Sequence, residues 1–167
     1  MNRELVKAIL ILPGTALVYV PGAIVWLTAP FPGGWAPAGA ADLRFWIGVA
    51  LAVPGFALAV WTVRLFVTAG EGTPAPWAPP KKLVVRGPYR HVRNPMLSAV
   101  NVMLAAEALL FGSWYIAGWM AVFVVLNTVY FIRREEPALE QRFGESYRLY
   151  KAKVPRWIPR WKPWDEG

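Results

Sequence analysis

Charge is absent from three long stretches of the chain: Ala8 to Ala41, Phe45 to Val63 and Ala108 to Ile132. Each is apolar over a length that reads as membrane-spanning helix rather than soluble core. The first predicted span covers residues 5–28. Pro13 and Pro21 fall inside it, which a membrane helix tolerates when neighbours satisfy the freed carbonyls. Glycine and proline breakers from Ala29 to Gly39 then predict a loop, with Trp35 suited to the headgroup level. The second span covers 43–67 around Pro54-Gly55. It gives way to a Gly/Pro-rich stretch, Thr68 to Pro80, that cannot be helical throughout.

Residues 95–132 are the ambiguous stretch. As one straight helix they would reach about 57 Å, against roughly 30 Å for a hydrocarbon core. Gly112-Ser113 offers a turn, so the pattern predicts a tight hairpin of spans 96–111 and 114–133; a re-entrant first arm is the competing reading. Beyond it the chain is polar and basic. Leu139, Phe143, Tyr147, Tyr150 and Val154 recur at helical spacing, predicting an amphipathic helix that lies on the membrane or caps the bundle. The expectation is therefore an all-α integral membrane protein in one domain. It has four transmembrane helices, a loop at 70–95 and a tail at 134–167 carrying an amphipathic C-terminal helix.

Charge orients this arrangement. The net charge is +8. With four spans, Arg3, Lys7, the cluster from Lys81 to Arg93 and every basic residue from Arg133 onward share one side, leaving Arg44 on the other. The excess of Lys and Arg predicts that both termini and the basic loop are cytoplasmic. The membrane accounts for the basic balance, so no nucleic-acid partner is expected. The chain has no cysteine and one histidine, His91, which excludes disulfides, thiolate metal sites and a cysteine nucleophile. No metal is expected, and the sequence does not determine the oligomeric state.

Candidate chemistry gathers in two cytoplasmic motifs. The first runs from Gly87 to Leu97 (Gly-Pro-Tyr-Arg-His-Val-Arg-Asn-Pro-Met-Leu). Asn94 fits a helix cap and Pro95 the first helical position, and the free N–H groups of such a start favour an anion. A basic loop gripping anionic headgroups is the alternative. The second motif starts at Arg133-Arg134-Glu135-Glu136-Pro137. Its carboxylate pair could meet a cationic ligand or hold a proton; equally, acids before proline suit a new helix N-terminus. Glu107 is the one acid inside an apolar span, about 18 Å from the start of its helix. It is expected to be protonated or to reach Asn101, Asn127 or the outer interface.

The order and spacing of these motifs, closing on Phe143-Gly144, Tyr147, Tyr150 and Val154-Pro155, resemble the isoprenylcysteine carboxyl methyltransferases, a family similar here to the phospholipid N-methyltransferases. The resemblance covers roughly residues 72–159. It implies a membrane enzyme that uses S-adenosyl-L-methionine and methylates a lipophilic small molecule entering from the bilayer, among membrane lipids. Carried over by motif, the cofactor-binding residues are Lys81, Lys82, Leu83, Val84, Tyr89, Asn94, Pro95, Met96, Leu97 and Glu135, and the catalytic ones Glu136, Arg133 and Arg93. Glu136 is the implied base for an amine acceptor; arginine would position a carboxylate. Many members have histidine in place of Asn94 and tyrosine in place of Leu97. A substrate arginine of the prenylcysteine enzymes falls on Phe131. Two other readings share the core and tail motif: an NADPH-dependent sterol-type reductase, and a non-enzymatic lipid-binding protein.

Overall fold

The computed structural model describes residues 3–73, 75, 77 and 79–165. Parts of the predicted loop (74, 76, 78) and tail (166, 167) lie outside the described residues, as do residues 1 and 2. Helices are the regular elements among those described: α1 (Arg3–Thr28), α2 (Leu43–Thr68), α3 (Pro95–Phe111), α4 (Trp114–Phe143) and α5 (Glu145–Lys153), with a short 3₁₀ turn at Gly87–Arg90. Three of them, α1, α2 and α4, are long and apolar enough to cross a membrane; α3 is a shorter apolar helix. Exposed Trp26, Trp46, Val53, Phe56, Val125 and Leu126 give these helices lipid-compatible surfaces, as an integral membrane protein requires.

Proline shapes two of the long helices in the same way. In α1, the Val20 N–H reaches back five residues to the Thr15 carbonyl, and Pro21 follows. In α4, the Glu136 N–H reaches back five residues to Phe131, and Pro137 follows. A proline ring clashes with the carbonyl four residues before it, and widening the preceding turn relieves the clash without ending the helix. In α1 the widened pattern leaves the Ala16 carbonyl without the N–H that Pro21 lacks. Trp119 of α4 donates its indole N–H to that oxygen at 3.1 Å. The contact joins the core of Ala16, Val100, Leu104 and Ile116.

Small residues set the closest packing. Gly48, Gly55 and Thr62 are the buried positions of α2, spaced by seven, and they face α3 in the most extensive helix–helix contact. A Cβ at Gly48 would stand 2.7 Å from Leu110 Cγ, so the backbones meet with no room for a side chain. Gly112 ends α3 in the left-handed conformation (φ 61°) that an αL cap favours. The loop after α1 folds over this turn: Ala36 and Ala38 N–H groups bond the Phe111 and Leu110 carbonyls at 2.9 and 2.8 Å. The hairpin at Gly112-Ser113 is thus a left-handed cap braced from outside.

Two expectations change. No new helix starts at the Glu pair: α4 runs through it as one rod of 30 residues. The widened turn absorbs Pro137, and no breaker precedes Gly144. The predicted amphipathic helix is broken at Gly144 (φ 58°), so its apolar face is shared between the end of α4 and α5. Leu139 and Phe143 still meet Tyr147, Tyr150, Val154 and Trp164, together with Leu83 and Val85 of the loop. The face packs onto protein.

Candidate functional site

The site is built where three segments converge beyond the apolar helices: the loop before α3, the end of α4 and the tail. The 3₁₀ turn presents the loop backbone, and the tail runs along it. Arg93 N–H donates to the Pro155 carbonyl (2.8 Å), Arg160 N–H to His91 (3.0 Å) and Trp164 N–H to Arg90 (2.9 Å). Arg90 returns the contact through Nε to the Trp164 carbonyl and pairs with Asp165. The Tyr150 hydroxyl donates to the Tyr89 carbonyl at 2.7 Å.

Glu136 sits at the centre. Its side chain is only 4% exposed. Oε1 accepts from Arg93 (2.8 Å) and from Arg156 Nε (2.8 Å), and Oε2 lies 3.4 Å from Lys151 Nζ. A buried carboxylate needs such partners to stay ionised. Arg93 also donates from Nε to the Val154 carbonyl. One ion-pair cluster therefore ties both motifs to the tail.

This geometry argues against Glu136 as a base. Three cations stabilise its ionised form and lower its affinity for a proton: Arg93 and Arg156 fill the lone pairs of Oε1, and Oε2 faces Lys151. Arg93 is committed in the same way. Glu135 is different: it is half-buried in the widened turn and accepts a hydrogen bond from Tyr130. Such widened turns recur at functional sites. Arg133 is exposed on that turn and makes no ion pair among the described residues.

The expected cofactor residues divide into groups. Tyr89 is a core residue: its ring meets Phe66 edge-on at 5.5 Å. Burial, and then the neighbouring Tyr150, pushes its phenol well above the ordinary value, so it stays neutral. Asn94 and Pro95 are buried at the start of α3, with Met96 and Leu97 half-buried behind them. Asn94 caps nothing with its side chain, and its buried Nδ2 has no acceptor among the described residues. Lys82, Leu83 and Val84 line an open groove of about 280 Å³ with Thr68, Ala69, Glu71, Val85 and Arg86. Lys81 is exposed beside them, its N–H bonded to the Gly70 carbonyl, and Lys82 pairs with Glu71. The structure brings the two motifs together through Glu136 and the tail; no hydrogen bond joins Glu135 to Tyr89.

Sequence reading missed Arg156 and Lys151. Arg156 directly follows the Val154-Pro155 of the motif, and Lys151 lies one turn before; a buried acid in need of several cations was the available signal. Glu107 finds none of its expected partners. It lies on the α3 face of Val100, Leu104 and Phe111 with Oε2 buried and unpaired, while Asn127 bonds the Phe123 carbonyl.

Comparison with known proteins adds what geometry cannot. An uncharacterized protein of Haemophilus influenzae is 45% identical over 42 residues, which is 24% of this chain and 67% of that protein. No solved structure matches. A family described as phospholipid methyltransferase matches residues 43–146, well over half the chain. The match begins earlier than the motifs alone suggested, taking in the whole of α2, and ends at the start of α5. Since it takes in α2, α3, α4, the first motif and the Glu135-Glu136 pair, the chain belongs to the phospholipid methyltransferase family, as an integral membrane protein.

Proposed function

We propose that this protein transfers a methyl group from S-adenosyl-L-methionine to a lipophilic acceptor that reaches the site from the bilayer. The observation that carries the reading is the start of α3. Asn94 Nδ2 is a buried donor with no acceptor among the described residues, and the N–H groups of Met96 and Leu97 belong to a first helical turn, which has no intrahelical acceptors. Converging unsatisfied donors at a helix start fit a carboxylate, the group at the amino-acid end of this cofactor. The groove at Lys82–Val84 offers room for another part of the same molecule; its volume is at the lower edge of the roughly 300–1,000 Å³ usual for small-molecule sites.

The cofactor supplies an activated methyl group, so the protein's task is positioning. Arg93 and Glu136 hold the start of α3 against the tail. Glu135, with no ion pair among the described residues, is the group able to accept a proton from an amine acceptor, and Arg133 is placed to meet an anionic group on the acceptor. Four spans, with the site and both termini cytoplasmic, agree with the distribution of Lys and Arg.

The test is ligand-induced stabilisation of the purified protein by S-adenosylhomocysteine, followed by labelled methyl transfer into a lipid extract. S-adenosylhomocysteine should raise the melting temperature, Asn94→Leu should weaken that rise, and label should enter lipid. Stabilisation by NADPH alone would make the protein a reductase. Stabilisation by S-adenosylhomocysteine without labelled lipid would leave a non-enzymatic binder.

A further inference from the structure

The tail between Val154 and Trp164 is tied to protein along one edge and carries the most exposed apolar side chains of the polar half of the chain on the other. Val154 and Trp164 are buried in the cluster with Tyr147 and Tyr150, and Arg93, His91 and Arg90 hold the backbone in between. From that pinned loop Trp161 projects fully exposed, at 100%, and Ile158 at 80%. A tryptophan and an isoleucine left in water at the tip of a braced loop are not needed for folding; nothing among the described residues covers the indole.

Among the described residues, the unpaired charges around the tip are basic. Lys153, Arg160 and Lys162 form no ion pair among the described residues, and Arg160 uses one N–H on the Lys153 carbonyl. Asp165, the acid nearest in sequence, is paired with Arg90. The tip also lies at a definite level. Its backbone partners, Arg90 to Arg93, end one residue before Asn94, and α3 begins at Pro95. The loop therefore sits beside the start of α3, at one end of the apolar helices.

We propose that Ile158 and Trp161 form a membrane anchor separate from the spanning helices, inserting into the headgroup layer of the same bilayer while Lys153, Arg160 and Lys162 meet anionic lipid. A Trp indole is suited to that depth, and a basic rim around an apolar tip is the chemistry that recognises an anionic lipid surface. The anchor fixes the outer edge of the strap whose inner edge is held by Glu136 through Arg156.

The chain has no native cysteine, so single cysteines carry a spin label without background. Ile158→Cys and Trp161→Cys are labelled one at a time, each leaving the other anchor in place, with exposed Gln141→Cys as reference. In nanodiscs containing phosphatidylglycerol, labels at 158 and 161 should be relaxed more by oxygen than by a water-soluble nickel chelate. Gln141→Cys should show the reverse. In pure phosphatidylcholine at raised salt, the ratio at 158 and 161 should fall several-fold toward the reference. Water-like accessibility at both positions in anionic nanodiscs overturns the proposal. Shielding from both reagents also overturns it, in favour of a protein partner, and equal ratios in the two lipids overturn the anionic requirement. Since both side chains are exposed, neither substitution removes a packing contact.

Discussion

Replacing Glu136 by glutamine removes the one anion shared by Arg93, Arg156 and Lys151. Losing one partner of a buried ion pair costs about 3–5 kcal/mol, because the remaining charge stays desolvated. Here the three cations are unequal: their side chains are 10%, 24% and 38% exposed. Arg93 cannot reach water, whereas Lys151 largely can, so the cost belongs near the lower end, about 3 kcal/mol. At 1.4 kcal/mol per factor of ten, that is roughly a hundredfold. The tail is where it should register. The Arg93, Arg160 and Trp164 amides are protected by hydrogen bonds between loop and tail. Their exchange reports local opening of that strap rather than unfolding of the bundle. In Glu136→Gln these amides should exchange roughly a hundred times faster by mass spectrometry or NMR in detergent. The Ser113 amide, bonded to the Ala108 carbonyl at the far end of α3, should be unchanged. Lys151→Met removes the 3.4 Å contact to Glu136 and a more exposed pair with Glu140 at 2.6 Å, and should cost about 0–1 kcal/mol, under tenfold. Equal effects from Glu136→Gln and Lys151→Met, or acceleration at Ser113 as well, would refute the reasoning that one buried carboxylate holds the tail.

Three further outcomes follow from the packing. Gly48→Ala should lower stability by about 1–3 kcal/mol, because its Cβ meets Leu110 Cγ at 2.7 Å. Gly118→Ala, with nothing within 4 Å, should raise the melting temperature in detergent, by about 0.5–1 kcal/mol of helix preference. Trp119→Phe should cost about 0.6–1.5 kcal/mol by orphaning the Ala16 carbonyl. Adding Pro21→Ala supplies a backbone N–H for that oxygen and should cancel most of the loss, which a thermal double-mutant cycle reads directly.

Much of this protein is legible in its sequence because the bilayer simplifies the problem. Uncharged runs located α1, α2 and the hairpin arms, and Gly112 marked the turn, since few other residues adopt φ 61°. What escaped the sequence is what depends on contacts between distant segments. Pro137 reads as a boundary, yet a widened turn carries the helix across it. The period of Leu139 to Val154 reads as one helix, yet Gly144 splits it while the apolar face survives by packing on Leu83 and Val85. Glu136 reads as reactive because an acid pair beside a membrane helix looks like chemistry. Three cations, Arg93 from the loop, Lys151 from α5 and Arg156 from the tail after it, turn it into a fastener. Hydrophobic period sees one element at a time; an ion-pair cluster spanning residues 93 to 156 does not appear in it.

The short helix α3 tests whether span length or burial decides topology. Its 17 residues reach about 25 Å, less than a hydrocarbon core of roughly 30 Å. A lone helix of that length would thin the bilayer or stop short. Yet α3 is flanked by α2, α4 and the widened turn of α1, and Ala99, Val100, Leu104 and Ala106 are all buried. Its last carbonyls, at Leu110 and Phe111, are satisfied by the loop after α1, so its end can sit below the headgroups without exposing backbone to lipid. A helix so enclosed is expected to cross with its neighbours instead of matching the bilayer by itself. Single cysteines make this measurable. In intact cells, a membrane-impermeant maleimide should label Asp42→Cys and Trp114→Cys, whereas Lys82→Cys and Gln141→Cys should react only after permeabilisation. If Trp114→Cys is shielded until permeabilisation while Asp42→Cys reacts freely, α3 turns back within the membrane, and enclosure by neighbouring helices does not compensate for missing length.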